Sequence, residues 1–113
     1  MKKEGEALED QVLEEIRRKI VKSYLETIFL AELRKNEPLS AYELIDVVHS
    51  KFGFKFSSGT VYTLLYSMER KHLLMGEAAE NKRVYRLTQK GKETIDTILD
   101  SREELWEFTK TIF

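Results

Sequence analysis

Ser57-Ser58-Gly59-Thr60-Val61-Tyr62-Thr63-Leu64-Leu65-Tyr66-Ser67-Met68-Glu69-Arg70-Lys71-His72 runs directly into Leu73-Leu74-Met75-Gly76-Glu77-Ala78-Ala79-Glu80-Asn81-Lys82-Arg83-Val84-Tyr85-Arg86-Leu87-Thr88. In the first half Val61, Leu64, Leu65 and Met68 recur at i, i+3, i+4 and i+7, one stripe of an amphipathic helix. At roughly 100° per residue the opposite face holds Gly59, Thr63, Tyr66 and Arg70, with Thr60 and Tyr62 on the flanks. A helix that only packs on a core usually spends its outer face on Glu and Lys. Here the first three turns carry no charge, only hydroxyls, two tyrosines and a glycine, which are groups that touch a partner at close range. The second half reads as a hairpin: Leu73-Leu74-Met75 leads into Gly76–Ala79, the tip is Glu80-Asn81-Lys82, and Arg83–Leu87 returns with period-2 alternation. A contact-making helix followed by a basic hairpin is the winged-helix way of holding DNA.

Outward from there the chain reads as helical. Leu8, Val12, Ile16, Ile20, Tyr24 and Ile28, with a neighbouring row at Leu13, Val21, Leu25, Phe29 and Leu33, predict one long helix from Leu8 to Leu33. Ser40-Ala41-Tyr42-Glu43 fits a capping box opening a helix to about Phe52, with Ala41, Leu44, Ile45 and Val48 inward. Gly53-Phe54-Lys55-Phe56 is the turn before the next helix, capped by Ser57 or Ser58, so the pair forms a helix-turn-helix. Thr88 caps a last helix to about Phe113, in which Ser101-Arg102-Glu103-Glu104 is a second capping-box match that marks a candidate kink. The expected fold is mainly α with a small two-stranded β-wing, a winged helix-turn-helix with long N- and C-terminal helices. It forms a single domain over 1–113: a core at 20–92, an N-terminal extension at 1–19 and a C-terminal dimerisation helix at 93–113.

Composition bounds the function. There is no cysteine, so disulfide, thiolate and Cys-zinc chemistry are excluded. No apolar run approaches the roughly 20 residues that span a bilayer, and the lysines at the start lead into Glu-rich sequence rather than a signal peptide, so a soluble cytoplasmic protein without a membrane partner is expected. Few side-chain amides among many Glu and Lys tilt weakly toward a heat-adapted source. The net charge of −1 is unevenly divided. Residues 36–92 hold nine Lys or Arg against six Asp or Glu, while residues 93–113 hold two against six. Positive charge thus sits on the segment that already looks like a reader of DNA, although solvated faces fluctuate this much by chance.

The string around Gly59 resembles a known family. Ser57-Ser58-Gly59-Thr60-Val61-Tyr62-Thr63-Leu64-Leu65 followed by Met68-Glu69-Arg70-Lys71-His72-Leu73-Leu74 is similar to the S-x-G-T-(I/V/L)-Y-x-x-L … L-E-x-x-G-L-(I/L) signature of PadR-like transcriptional regulators. Val84 to Gly91 resembles the family's Y-x-L-T-x-x-G wing exit, and Ala41-Tyr42-Glu43-Leu44 its G-Y-E-L helix start. The resemblance covers Ile20 to about Lys92 and implies a dimeric winged-helix repressor whose C-terminal helix supplies the dimer contact. Three features depart from the pattern: His72 stands where Gly is usual, the wing is short, and the N-terminal helix begins about two turns early.

The candidate DNA-binding residues are Lys55, Ser57, Ser58, Thr60, Tyr62, Thr63, Tyr66, Lys82, Arg83 and Arg86. Hydroxyls on the helix suit phosphates and base edges, and the four cations suit phosphate. The bland alternatives are that Ser57 spends its oxygen on the cap, that the tyrosines cover the domain's neck, and that each cation is merely solvated. Thr63 and Tyr62 are expected to read sequence, and Lys82 and Arg83 to supply general affinity. Val12, Ile16, Ile20, Ile95, Ile98, Leu99, Leu105, Trp106 and Ile112 are the candidate dimer residues, because two long apolar stripes on a monomer would form an unusually large patch. From the resemblance, Trp106 is also a candidate to line a pocket for a small aromatic effector, against a plainer role in packing. His49 and His72 lie on different helices without carboxylates at ligand spacing, so neither metal nor cofactor is expected. No nucleophile–base pair is present, which argues against an enzyme. A winged helix can also bind another protein through the same aromatic face, and that remains the alternative function.

Overall fold

The computed structural model describes residues 4–113, with side chains from Gly5 onward; the two lysines at positions 2 and 3 lie outside the described residues. The order is α1 (Glu4–Ser23), α2 (Leu25–Lys35), β1 (Leu39–Ser40), α3 (Ala41–Phe52), α4 (Ser58–Arg70), β2 (Leu74–Ala79), β3 (Lys82–Leu87), α5 (Gln89–Asp100) and α6 (Arg102–Lys110). The core is built around α2, whose Phe29, Leu30 and Leu33 are fully enclosed, with Leu44 and Val48 of α3, Val61, Leu65 and Met68 of α4, and Ile95 of α5. Every one of these lies on the apolar stripe of its helix, so periodicity alone selects the buried face.

Two long helices of the sequence reading are each divided. The first breaks at Tyr24 (φ −104°, ψ 15°), yet Tyr24 N–H still donates to Ile20 and Ile28 N–H to Tyr24, so the junction bends a nearly continuous helix. The apolar rows stay in phase across it, which is why the pattern does not reveal it. The last helix breaks at Ser101, the expected position, but by another device. Ser101 makes no side-chain cap, and the bend has φ −102° and ψ 14° with the helical bond from Leu105 to Ser101 kept. Its second part ends at Lys110 rather than Phe113.

The sheet also corrects the two-stranded expectation. It has three strands in the order β1-β3-β2, because Leu39 and Ser40 pair antiparallel with Tyr85 and Val84. β1 is only two residues long, and the carboxylate of Glu37 extends its cover by accepting from Leu87 N–H at 2.8 Å. As the central strand, β3 buries Val84 as well as Tyr85 and Leu87, so its alternation is weaker than a two-stranded wing would show. Lys82 belongs to β3, leaving Glu80-Asn81 as a two-residue tip in which Glu80 has φ 54°.

α4 ends in a Schellman turn: Leu73 N–H reaches the Met68 carbonyl and His72 N–H the Glu69 carbonyl, with Leu73 and Met68 both buried. The residue that must turn left-handed is His72, at φ 61°. That explains why the pattern this string resembles carries Gly there, and a side chain with a Cβ is strained at this angle. His72→Gly should therefore stabilise the fold by about 1 kcal/mol, offset in part by the freer unfolded chain. Urea unfolding at neutral pH checks it, and a lower midpoint would refute it.

Candidate nucleic-acid interface

The reading helix is placed by its cap. Ser57 Oγ accepts from Thr60 N–H at 3.2 Å and donates to Thr60 Oγ1 at 2.9 Å, so both residues serve the helix start. Ahead of it Phe54 and Phe56 turn into the core and leave Lys55 pointing to solvent. Val61, Leu65 and Met68 anchor the inner face, which leaves Ser58, Gly59, Tyr62, Thr63, Tyr66 and Arg70 exposed along the outer one. Three shallow hollows border this ridge. One, toward the wing, is lined by Tyr62, Tyr66, Glu69, Arg83 and Tyr85. Another, on the far side, is lined by Thr63, Tyr66, Ser67, Arg70 and Lys71, and a third at the helix start by Tyr42, Ile45, Lys55, Phe56, Ser57 and Ser58.

The wing cations do not stand free. Lys82 Nζ lies 3.2 Å from Glu43 of α3, Arg83 Nη2 lies 2.9 Å from Glu69 of α4, and Arg86 Nε lies 2.8 Å from Glu77 across the hairpin. Glu69 holds the Arg83 proton more tightly than usual, chiefly through the hydrogen bond and then through its charge. Burial pushes the Tyr85 phenol up, and the Glu69 charge adds to it. Lys55 and Arg70, by contrast, have no carboxylate partner among the described residues, and Arg70 lies 5.7 Å over the Tyr66 ring.

The structure thus brings together Lys55, Ser58, Tyr62, Thr63 and Tyr66 on one exposed ridge, with Lys82 opening the second strand of the adjoining wing. Thr60 is half-buried with its hydroxyl on the cap, and Arg86 pairs with Glu77 across the hairpin in an exposed ion pair. Arg70, Tyr42, Glu69 and Gly76 were not in the sequence-derived set. Arg70 was legible from its position on the outer face of α4, and Tyr42 from lying off the Ala41, Leu44 and Val48 stripe of α3, whereas the partners of Glu69 and Gly76 lie on another element.

Glu43 does three things: its carboxylate accepts from Ser40 N–H and pairs with Lys82, and its own N–H donates to Ser40 Oγ in the first turn of α3. Its carboxyl is held below the usual range, first by the Ser40 backbone bond, then by the Ser40 hydroxyl and by Lys82. Asp96 is lowered likewise, by its two hydrogen bonds from Arg34 at 2.9 and 3.2 Å. Groups with depressed folded values contribute stability that is present above the unfolded value and lost as pH falls through the folded one. Stability should accordingly fall as pH drops from the ordinary carboxylate range downward. Glu43→Gln should give a shallower acid limb, the effect being modest because the pair is exposed. Melting temperatures between about pH 3 and 6 check this, and an unchanged limb would contradict it.

The dimer candidates separate into two groups. Val12, Ile16 and Ile20 on α1 and Leu105, Trp106 and Ile112 at the other end of the chain are exposed, together with Leu8, Leu13 and Phe108. Ile98 and Leu99 are half-buried against the core, and Ile95 is entirely within it, so Ile95 is a core residue with no surface to offer a second chain. Trp106 stands on the open surface of α6, with Lys110 Nζ 5.7 Å from its ring. No group of three or more candidate metal ligands occurs among the described residues, and no helix among them is long and apolar enough to cross a membrane.

A helix-turn-helix whose exposed second helix lies beside a hairpin defines a winged helix-turn-helix. The profile of the transcriptional regulator PadR-like family matches residues 29–97, and the chain belongs to that family. It is similar to a PadR-like transcription factor from Bacteroides fragilis, at 27% identity and TM-score 0.70 over 88% of this chain and 99% of that one. A PadR-like regulator from Bacillus cereus follows at 25% identity and TM-score 0.66, over 83% and 95%. PadR of Bacillus subtilis, solved in complex with operator DNA, shares the fold at 22% identity and TM-score 0.60, over 66% of this chain and 46% of that one. No curated protein sequence matches.

Proposed function

We propose that the protein is a homodimeric regulator that binds double-stranded DNA by sequence and represses transcription, without catalytic activity of its own. One observation carries this reading: the outer face of α4 is exposed along its length, presents hydroxyls, tyrosines and Arg70 in place of the usual Glu and Lys, and lies beside the wing. In the major groove Thr63 and Tyr62 reach base edges, while Lys55, Ser58, Arg70 and Lys82 reach phosphates on either side. The Bacillus subtilis relative, bound to operator DNA in its crystal, supports this use of the fold. The exposed apolar residues of α1 and α6 support a twofold dimer that sets two reading helices on one side, for half-sites roughly 34–36 Å apart. Trp106 in that dimer would meet a second chain or a flat aromatic effector, and saturable quenching of its fluorescence by planar dyes at one per dimer would favour the effector.

Selection of bound fragments from the source genome tests the function. A recurrent, two-fold symmetric sequence is expected. Recovery of fragments with no shared sequence, at the level of an unrelated protein, would refute sequence reading and leave the aromatic face as a surface for another protein.

A further inference from the structure

We propose that Arg83 is a positioning residue: with Glu69 it clasps the wing to the reading helix and fixes the angle at which the two meet DNA, and it does not itself contact phosphate. This rests on the DNA-binding reading above. The ion pair joins α4 to β3 across 14 residues of sequence, at 2.9 Å, with the Glu69 side chain only 26% exposed. The guanidinium lies flat across β2 where Gly76 has no side chain. A Cβ there would sit 2.5–2.7 Å from its nitrogens and Cζ, so the absence of a side chain at 76 is what makes the lane. The Tyr85 ring lies beneath, 5.8 Å from Arg83 Cζ, and Tyr62 and Tyr66 complete the wall of the same cleft. Arg83 is therefore bordered by Glu69, Gly76 and Tyr85, with 51% of its side chain still exposed, so what sets it apart from Lys82 is the more buried carboxylate it pairs with.

Its neighbour differs. Alternation along β3 sends Lys82 to the other face, where its partner Glu43 is already engaged with Ser40 and the pair is about half exposed on both sides. Lys82 can leave for a phosphate at little cost. Arg83 cannot, because its departure would strand the Glu69 carboxylate, unpaired, beside the phosphates it approached.

The two roles give Glu69→Gln opposite signs. For a phosphate contact, removing the carboxylate frees the cation and tightens binding. For a clasp, it loosens the wing and weakens binding to the operator. The experiment titrates the parent, Glu69→Gln, Arg83→Gln and the double variant with the selected operator duplex and with a random duplex, at several salt concentrations. Amide exchange is followed in each free protein. We expect each single variant to lose roughly fivefold in operator affinity per dimer, the double to lose no more than Arg83→Gln alone, and the salt slope to stay at the parent's value. Exchange should quicken in β2 and β3 but not in α2. Tighter binding by Glu69→Gln, a slope flattened by about two units per dimer in Arg83→Gln, or unchanged hairpin exchange would overturn the clasp. If the parent itself binds no duplex, the functional reading fails; altered hairpin exchange would then still show the tie within the free protein, while its role on DNA would fall.

Discussion

Ile16→Asp combined with Leu105→Asp should yield a folded monomer whose operator affinity is at least about a hundredfold below the parent's. Residues 5–20 of α1 are all exposed, and α6 buries nothing within one chain, so neither aspartate enters a core. Surface changes of this kind usually alter stability by less than about 0.5 kcal/mol. In a dimer they are far from neutral, because each would place a charge in an apolar seam, twice over by symmetry. Losing the dimer also loses the tether that presents the second reading helix to the second half-site at an effective concentration on the order of millimolar. Sedimentation equilibrium and operator titration of the same samples check both halves of the expectation. A variant that stays dimeric, or a parent that is monomeric at micromolar concentration, would show that these stripes do not form the seam. Ile95→Asp is the contrasting change: it falls in the core and should prevent folding outright.

Gly91→Ala should destabilise the protein by roughly 3 kcal/mol or more, the largest effect expected of any single methyl group added here. Gly91 is buried in the first turn of α5, and a Cβ there would collide with the carbonyl of Leu73, with Leu87 Cδ2 3.3 Å away. That carbonyl is not free to move: it accepts from Thr88 N–H at 3.1 Å, while Thr88 Oγ1 both caps Gly91 N–H at 3.0 Å and donates to the His72 carbonyl. The end of the reading helix, the wing and α5 thus meet at one backbone contact that only glycine permits. Gly59→Ala makes the comparison sharp. Its added methyl has nothing within 4 Å, so helix propensity should make it neutral or stabilising by up to about 1 kcal/mol. Urea unfolding of the two variants side by side decides the matter, and equal midpoints would mean that the contact at Leu73 yields easily.

What the chain announces and what it conceals follow from the range of each interaction. The capping box of Ser40 and Glu43, the Ser57 cap and the stripe of α4 all depend on residues within a few positions of each other and stand as read, and the hairpin stands too, with its tip one residue shorter because Lys82 pairs with Ala79. β1 has no local signal, since two residues become a strand only because Tyr85 and Val84, more than forty positions away, present a free edge. The bend at Tyr24 keeps the helical bonds and the stripe, so periodicity passes through it, whereas the bend at Ser101 was marked by the local Ser-Arg-Glu-Glu string even though no side-chain cap forms there. In the site, Tyr62, Thr63 and Tyr66 were legible because burial of Val61, Leu65 and Met68 forces them outward. The pairing of Arg83 with Glu69, over Gly76, was not legible, because charge patterning sees only neighbours. A cation that looked free in sequence is tied in space, while on the reading ridge Lys55 and Arg70 have no carboxylate partner among the described residues.

The central claim is that the ridge of α4, flanked by those cations, binds DNA. The salt dependence of affinity for the selected operator tests it most directly, measured for the parent and for Lys55→Ala with Arg70→Ala. The parent's logarithmic affinity should fall linearly with logarithmic salt, by about 0.9 per phosphate neutralised, and the double variant should show a slope shallower by roughly three to four units per dimer. A slope near zero in the parent, or the same slope in both proteins, would contradict the claim.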